Sequence, residues 1–478
     1  MENKNLFITT TLPYIGLPHI GHMFEFIIGD ALTRFFKLQG NNVFLNTGLD
    51  CHGTKIKEKA DDLGLDPLSY IESVVPIWKD FCKKFDIEYD NFYLTSDKFH
   101  YEKTFILWSH FLERGNLYKK KYSGLYCSGC ESFKQTKELI EGKCPDHLSL
   151  ELKMIEEENW HFDIGKYKEP LNKWLDNSPG FLIPNSKSQE LRNLIAESSE
   201  MSVSRLRSKV SWAIPVPNDT EQTIYCWLEA LSNYFFAAGY LTDKNIWNDN
   251  TEIIQICGPD NLRFQAIIFQ SMLEAEGLKH TDKLLVHGTI NDASGKKMSK
   301  TEGNVIDPID QLNKYGLDAV RYYALAGLST CSNSSWDEKE LKLKYNSDIC
   351  NSWGNFVSRV LHLLDTKCEG EYYASVTPSF FQKLVEYENL IIRSWNNMDI
   401  REGLMLTAEL VSFGNKYIND NAPWNEKDPD KVKSVISDCY HLIRTAGRFY
   451  SPVFPEKTIL LDEAVRARKK VKLFERIP

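Results

Sequence analysis

The first fifty residues leave this chain few folds to choose from. Leu6 to Leu12 is an apolar, β-branched run of strand length, and Pro13 to Pro18 makes a loop. A helix is then predicted from His19 to about Gln39. It carries Met23, Phe24, Phe26, Ile27 and Ala31, and Gly40 stops it. Asn42 to Thr47 reads as the next strand. Strand, loop, helix, strand is the opening of a doubly wound α/β domain. Ile253 to Cys257 and Lys283 to His287 read as further parallel strands.

The rest of the chain departs from that pattern in two places. Lys119 to Glu158 is rich in Cys, Lys and Glu and reads as an insertion, and helical patterns dominate from Asp337 to about Ser451. The expected division is a catalytic first half over 1–115 and a connective insertion over 116–215. A catalytic second half over 216–336 and a helical part with a return segment over 337–478 complete it. A net charge of −9 argues against a generally basic nucleic-acid binder while allowing local basic patches. No apolar run is long enough to span a bilayer, and the N-terminus reads as a strand rather than a cleavable leader. Eleven cysteines without a secretory pattern point to thiols or metal ligands in a reducing, cytoplasmic setting.

Two short segments carry phosphate chemistry. His19 and His22 stand three apart at a helix start, where free N–H groups and the positive dipole end face an anion, and Gly21 keeps the backbone approachable. Lys297 and Lys300 lie in Lys297-Met298-Ser299-Lys300-Thr301, on a Gly- and Lys-rich loop able to close over a triphosphate. Imidazoles on one side and lysines on the other suit in-line attack of a carboxylate on an α-phosphate, where catalysis is positioning and charge stabilisation. Separately, Cys127-x2-Cys130 is followed after thirteen residues by Cys144-x2-His147. Two short-spaced pairs of thiol and imidazole suit one tetrahedral Zn2+, and four protein ligands leave no open position, so the site is read as structural.

The two phosphate segments resemble the HIGH and KMSKS signatures of the class I aminoacyl-tRNA synthetases. Further stretches resemble the methionyl-tRNA synthetase family over nearly the whole chain. Among them are Thr11-Leu12-Pro13-Tyr14, Gly48-Leu49-Asp50-Cys51-His52-Gly53, Trp212 to Pro217, Trp227-Leu228-Glu229-Ala230, Gly303 to Pro308 and Tyr315 to Tyr322. The resemblance implies a Rossmann-like, doubly wound parallel sheet, a zinc-knuckle insertion and an α-helical bundle that binds the anticodon. It implies ATP with Mg2+ held by His19, Gly21, His22, Glu25, Gly258, Asp260, Lys297 and Lys300, the histidines and lysines being catalytic. It implies a methionine pocket of Leu12, Tyr14, Asp50, Trp227, Leu231, Tyr234 and Gln265, with Asp50 on the α-ammonium. Aromatic rings suit a thioether, each contact contributing roughly 0.3–1.5 kcal/mol. Arg205 is a further candidate near the substrate carboxylate. Asn355, Arg359 and Trp424 would read a CAU anticodon of tRNA(Met) by amide and guanidinium hydrogen bonds and by stacking. A monomer without a separate editing domain is expected.

The chain departs from the family pattern in three ways. Gly258 to Gln265 ends in Gln where the family has His. The loop between Tyr14 and His19 is one residue short. Glu229 and Pro259 replace the usual Asp and Lys. These departures keep open a paralogue acting on another apolar amino acid, or a non-charging tRNA-binding paralogue.

Overall fold

A computed structural model describes residues 3–14, 16–128, 132–134, 136, 139–145, 147–148, 150–298 and 303–478, without the side chains of 54, 122, 132 and 133. It forms two compact units that do not follow chain order: 1–17, 44–80 and 89–286 make one, and 18–43, 81–88 and 287–478 the other.

The first unit is built on a six-stranded sheet. Its strands are β1 (Asn5–Thr9), β2 (Asn42–Leu49), β3 (Asn91–Leu94), β4 (Leu182–Ile183), β5 (Thr251–Cys257) and β6 (Lys283–Val286), in the order β3-β2-β1-β5-β6-β4. β1 runs parallel to β5, β5 to β6, β6 to β4, and β2 to β3. From β1 the chain steps outward to β2 and β3, and from β5 to β6 on the other side. The reversal between β1 and β5 is the switch point at which open α/β sheets bind ligands beyond the carboxyl ends of their strands. Phe7, Ile253, Leu284 and Val286 from the sheet are buried with Leu228, Phe235, Phe269 and Leu273 from helices. Continuous apolar strands of this kind mark a sheet covered on both faces.

Within the same unit, a strand over Leu117–Cys127 pairs antiparallel with Ser132–Lys134 on one side and Lys153–Phe162 on the other. A long ribbon therefore leaves the sheet at Leu117 and returns at Phe162. Its far end carries the Cys127 to His147 segment.

The second unit holds the Ile20–Leu38 helix and a C-terminal bundle over Asn355–Cys368, Pro378–Asn396, Ile400–Asn421, Pro429–Tyr450 and Pro455–Ala467. Arg321, fully buried, ties these together. Its guanidinium meets the Asp30 carboxylate at 2.6 Å and donates to the carbonyls of Phe85 (2.8 Å), Pro452 (2.9 Å) and Val453 (2.9 Å). Planar guanidinium is suited to satisfying several fixed acceptors at once. Phe35 of the early helix stacks on Trp395 of the bundle at 4.9 Å between ring centroids. These contacts place the early helix in the same unit as residues more than 280 positions away. Among the described residues, no helix is long and apolar enough to cross a membrane.

Candidate functional site

Of the residues expected to bind ATP, His19, Gly21, His22, Glu25 and Lys297 belong to the helical unit. His19 is the N-cap of the Ile20–Leu38 helix: its Nδ1 accepts from Gly21 N–H at 3.1 Å, and His22 Nδ1 accepts from His19 N–H at 3.3 Å. This reciprocal cap uses the Nδ1 lone pairs, so the ring proton of each imidazole sits on Nε2. The rings stack at 3.6 Å. A Cβ on Gly21 would sit 3.0 Å from His19 Cε1, so the missing side chain leaves room for the His19 ring. Glu25, one turn on, faces His287 Nε2 at 3.1 Å.

The loop bearing the second signature is held at its base. Asp292 accepts from the backbone N–H of Ser294 (2.9 Å) and Lys296 (3.0 Å), from Ser294 Oγ (2.6 Å) and from Asn304 Nδ2 (2.6 Å). The Ser294 and Asn304 hydrogen bonds, with those from the backbone, hold its carboxyl down at about 2. Lys297 pairs with Asn291 across this turn. Gly288 precedes it, where a Cβ would lie 1.9 Å from the Ser332 carbonyl oxygen, so no other residue fits. Lys300 lies outside the described residues.

The residues expected to hold the amino acid, and Gly258 and Asp260 of the expected ATP set, belong to the sheet unit, and several of them follow strand ends. Leu12 and Tyr14 follow β1, Asp50 follows β2, and Gly258 and Asp260 follow β5, Asp260 in the short turn Pro259–Asn261. Tyr14 and Asp50 lie side by side, with Asp50 N–H donating to the Pro13 carbonyl at 2.9 Å. Trp78 Nε1 donates to the Gly16 carbonyl at 2.7 Å and so anchors the shortened loop.

Asp50 has two close neighbours that the sequence reading did not assign. One oxygen of Asp50, one nitrogen of His52 and one oxygen of Glu229 lie within 4.8 Å of one another. His52 Nε2 is 3.0 Å from Tyr101 Oη, which donates to the Trp212 carbonyl at 3.1 Å, so His52 Nε2 is the donor and Nδ1 the acceptor. Burial holds the imidazole down to about 4, hence neutral. His52 Nδ1 is 3.3 Å from Glu229, whose other imidazole partner, His100, stands at 2.9 Å. Two carboxylates and an imidazole lone pair thus surround a point suited to a cation, either an ammonium or a metal ion.

Beside this cluster the apolar residues gather. Leu12, Leu231 and Tyr234 are buried in one cluster with Trp227 packed against it. Trp227 stacks on Phe264 at 3.5 Å, a partner the motifs did not indicate. Gln265, in a π-helical turn over Phe264–Ile268, donates from Nε2 to Tyr234 Oη at 2.5 Å. The extra residue of such a turn re-aims a side chain, and π turns gather at functional positions. Arg205 is committed elsewhere: Nη1 donates to Ser202 Oγ and the Ser204 carbonyl, with the guanidinium against the Tyr225 ring at 4.6 Å.

In the ribbon, Cys127 and Cys144 are buried, and their sulfurs and one nitrogen of His147 lie within 4.8 Å of one another. Cys127 Sγ is 3.8 Å from His147 Nδ1. Three soft or borderline donors at that spacing fit a tetrahedral ion. Cys130 lies outside the described residues. In the bundle, Arg359 lies 5.9 Å from the centre of the half-exposed Trp424 ring and donates to Asn419 (2.8 Å) and Asn415 (3.0 Å). Asn355, exposed, lies one turn before it. The two asparagines on the Ile400–Asn421 helix were not legible because they sit in no recognisable motif.

The family model for class I tRNA synthetases (M) matches residues 6–154 and 148–361. A methionine–tRNA ligase of Caldanaerobacter subterraneus subsp. tengcongensis is 33% identical over 475 residues, covering 95% of this chain and 72% of the relative. A probable mitochondrial methionine–tRNA ligase of Dictyostelium discoideum is 31% identical, over 96% and 85%. Among solved structures, Mycobacterium tuberculosis methionyl-tRNA synthetase in complex with methionyl-adenylate superposes with a TM-score of 0.89 over 99% of this chain and 98% of that one, at 23% identity, a likeness of fold.

Proposed function

Because the chain belongs to the methionine–tRNA ligases of class I, an ATP-dependent family, we propose that the residues described above divide that reaction as follows. Methionine's α-ammonium enters the Asp50, His52 and Glu229 cluster, and its side chain enters the pocket of Leu12, Tyr14, Trp227, Leu231, Tyr234 and Gln265. Its carboxylate attacks the α-phosphorus of ATP; the bond to the β-phosphate oxygen breaks and pyrophosphate leaves. His19 and His22 donate from Nε2 to the phosphate oxygens, Lys297 and Lys300 balance the charge that develops, and Glu25, Gly258 and Asp260 hold the nucleotide. The 3′-terminal ribose hydroxyl of tRNA(Met) then attacks the acyl carbon and AMP leaves.

The observation that supports this reading is the Asp50, His52 and Glu229 group, whose Glu229 shares a helix with Trp227, Leu231 and Tyr234, because a cation site beside aromatics and a phenol suits an amino acid with a long, polarizable, apolar side chain. Mg2+ neutralises the pyrophosphate oxygens when ATP is bound. Cys127, Cys144 and His147, with Cys130 of the same motif, would hold a structural Zn2+. Asn355, Arg359 and Trp424 read the CAU anticodon, and the enzyme works as a cytoplasmic monomer.

Amino-acid-dependent pyrophosphate exchange across the twenty amino acids tests the pocket. Charging of tRNA transcripts with CAU and altered anticodons then tests the bundle. Exchange with another apolar amino acid in place of methionine would overturn the pocket assignment. Equal charging of all anticodons would overturn that of the trio. Metal analysis giving one zinc per chain, lost in Cys144→Ser, supports the knuckle, and zinc-free native protein refutes it.

A further inference from the structure

Gln265 is the fourth member of a buried chain of polar side chains that no motif marks. Gln270, Thr281, Gln255, Gln265 and Tyr234 are 0, 1, 1, 2 and 3% exposed, so water cannot stand in for any member. The chain draws on five places in the sheet unit. Gln270 comes from the Phe269–Glu276 helix, Thr281 from the loop before β6 and Gln255 from β5. Gln265 comes from the π turn and Tyr234 from the Trp227–Ala237 helix.

The orientation of the first amide is fixed by its backbone partners. Gln270 Oε1 accepts from the backbone N–H of Thr281 at 3.2 Å, and Gln270 Nε2 donates to the backbone carbonyl of Gln265 at 3.1 Å. A backbone N–H only donates and a backbone carbonyl only accepts, so this amide cannot be reversed. Its Nε2 also donates to Thr281 Oγ1 at 3.0 Å, and the threonine hydroxyl donates to Gln255 Oε1 at 2.6 Å. Gln255 Nε2 donates to Gln265 Oε1 at 2.7 Å, and Gln265 Nε2 donates to Tyr234 Oη at 2.5 Å. The phenol oxygen receives a hydrogen from Gln265, and its own O–H is directed off that line. Were the Gln265 amide turned over, the phenol proton would be drawn to Gln265 Oε1 instead.

We propose that Gln270, Thr281 and Gln255 are positioning residues for side-chain selection: they fix the Gln265 amide so that Tyr234 meets the substrate as a hydrogen-bond donor. A pocket of this polarity favours a side chain with a lone pair at the thioether position over its methylene isostere. The inference rests on the assignment of Tyr234 to the amino-acid pocket. It also assigns a purpose to the replacement of His by Gln at 265. An amide keeps its donor at every pH, and its orientation is set by the chain behind it.

The measurement is the ratio of kcat/KM for methionine to that for norleucine in pyrophosphate exchange by the full-length enzyme. The two substrates differ only in S against CH2, so general damage to the fold moves both together. Gln255→Met removes the donor to Gln265 and frees its amide to turn; the ratio is expected to fall about fivefold, the size of one net hydrogen bond. Thr281→Val should lower it about twofold, since Gln255 keeps its other partner. Thr281→Ser, which retains the hydroxyl, should leave it unchanged. Tyr234→Phe should lower the ratio as much as Gln255→Met, and the double variant should show no further fall. If Tyr234→Phe lowers the ratio while Gln255→Met and Thr281→Val do not, the positioning chain is refuted. If Tyr234→Phe leaves it unchanged, the pocket assignment fails and the inference with it. Should Gln255→Met not fold, the Thr281→Val and Thr281→Ser pair decides the matter with the same sign.

Discussion

The two signature histidines and Gln265 are held in opposite ways. His19 and His22 are fixed by bonds to backbone two and three residues away, at an exposed helix start. Gln265 is fixed by side chains 10 and 31 positions away, deep in the sheet unit. A local device is complete once its few residues are written, so it reads as a motif and can be moved only as a block. A device assembled from distant elements has no motif, and any one member can change while the others remain. The local histidine pair keeps its family signature, while the departures at Glu229 and Gln265 fall on residues whose partners come from distant elements.

Four measurements can break or sharpen that contrast. The largest effect is expected from His22→Ala, which removes a phosphate donor and half of the cap. Exchange should slow about 100- to 1,000-fold, as for loss of one oxyanion donor. Methionine affinity by fluorescence titration should stay within about twofold, since a transition-state contact is removed; a matching loss of affinity would join the halves that the contrast separates.

Acid should act on the other half. His52 is held neutral down to about 4 against an ordinary 6.5, so the unfolded chain binds the extra proton first. The stability this contributes is full above about 6.5 and is lost as pH falls toward about 4, on the order of 3 kcal/mol for a wholly buried ring. In urea unfolding, the stability gap between the native enzyme and His52→Gln should narrow over that window. A constant gap would mean the cluster is not held as described. Asp292, held at about 2 by its hydrogen bonds, remains ionised throughout, so the signature loop keeps its anchor.

Trp424→Ala should raise KM for tRNA about tenfold, within the range for loss of one stacked base, with exchange unchanged. The smallest effect is expected from Asp292→Asn, a few-fold slowing of exchange without change in methionine affinity. A larger effect on affinity than on rate would show that the loop serves the pocket as well.

The extent of sequence legibility follows the same division. The parallel strands at 253–257 and 283–287, the helix from His19 and the bundle after Asp337 rest on local periodicity, and the structure forms β5, β6, the Ile20–Leu38 helix and the bundle there. The knuckle spacing places Cys127, Cys144 and His147 together. What was not legible depends on partners far along the chain: Trp78 on Gly16, Phe264 on Trp227, His52 and Glu229 beside Asp50, and the Gln255 to Gln270 chain. Gly21 was expected to keep the backbone approachable, and its missing side chain also makes room for the His19 ring that caps the helix, a contact not legible in the motif.

The interleaving of the two units carries a consequence for inheritance. The chain changes unit at 17/18, 43/44, 80/81, 88/89 and 286/287. No single break in the gene yields either unit whole. A fragment ending at residue 286 keeps Asp30 and its partner Arg34 but loses Arg321, the second guanidinium on that buried carboxylate. A break at that point therefore divides the unit that holds the early helix and removes one of the two guanidinium partners of its buried carboxylate.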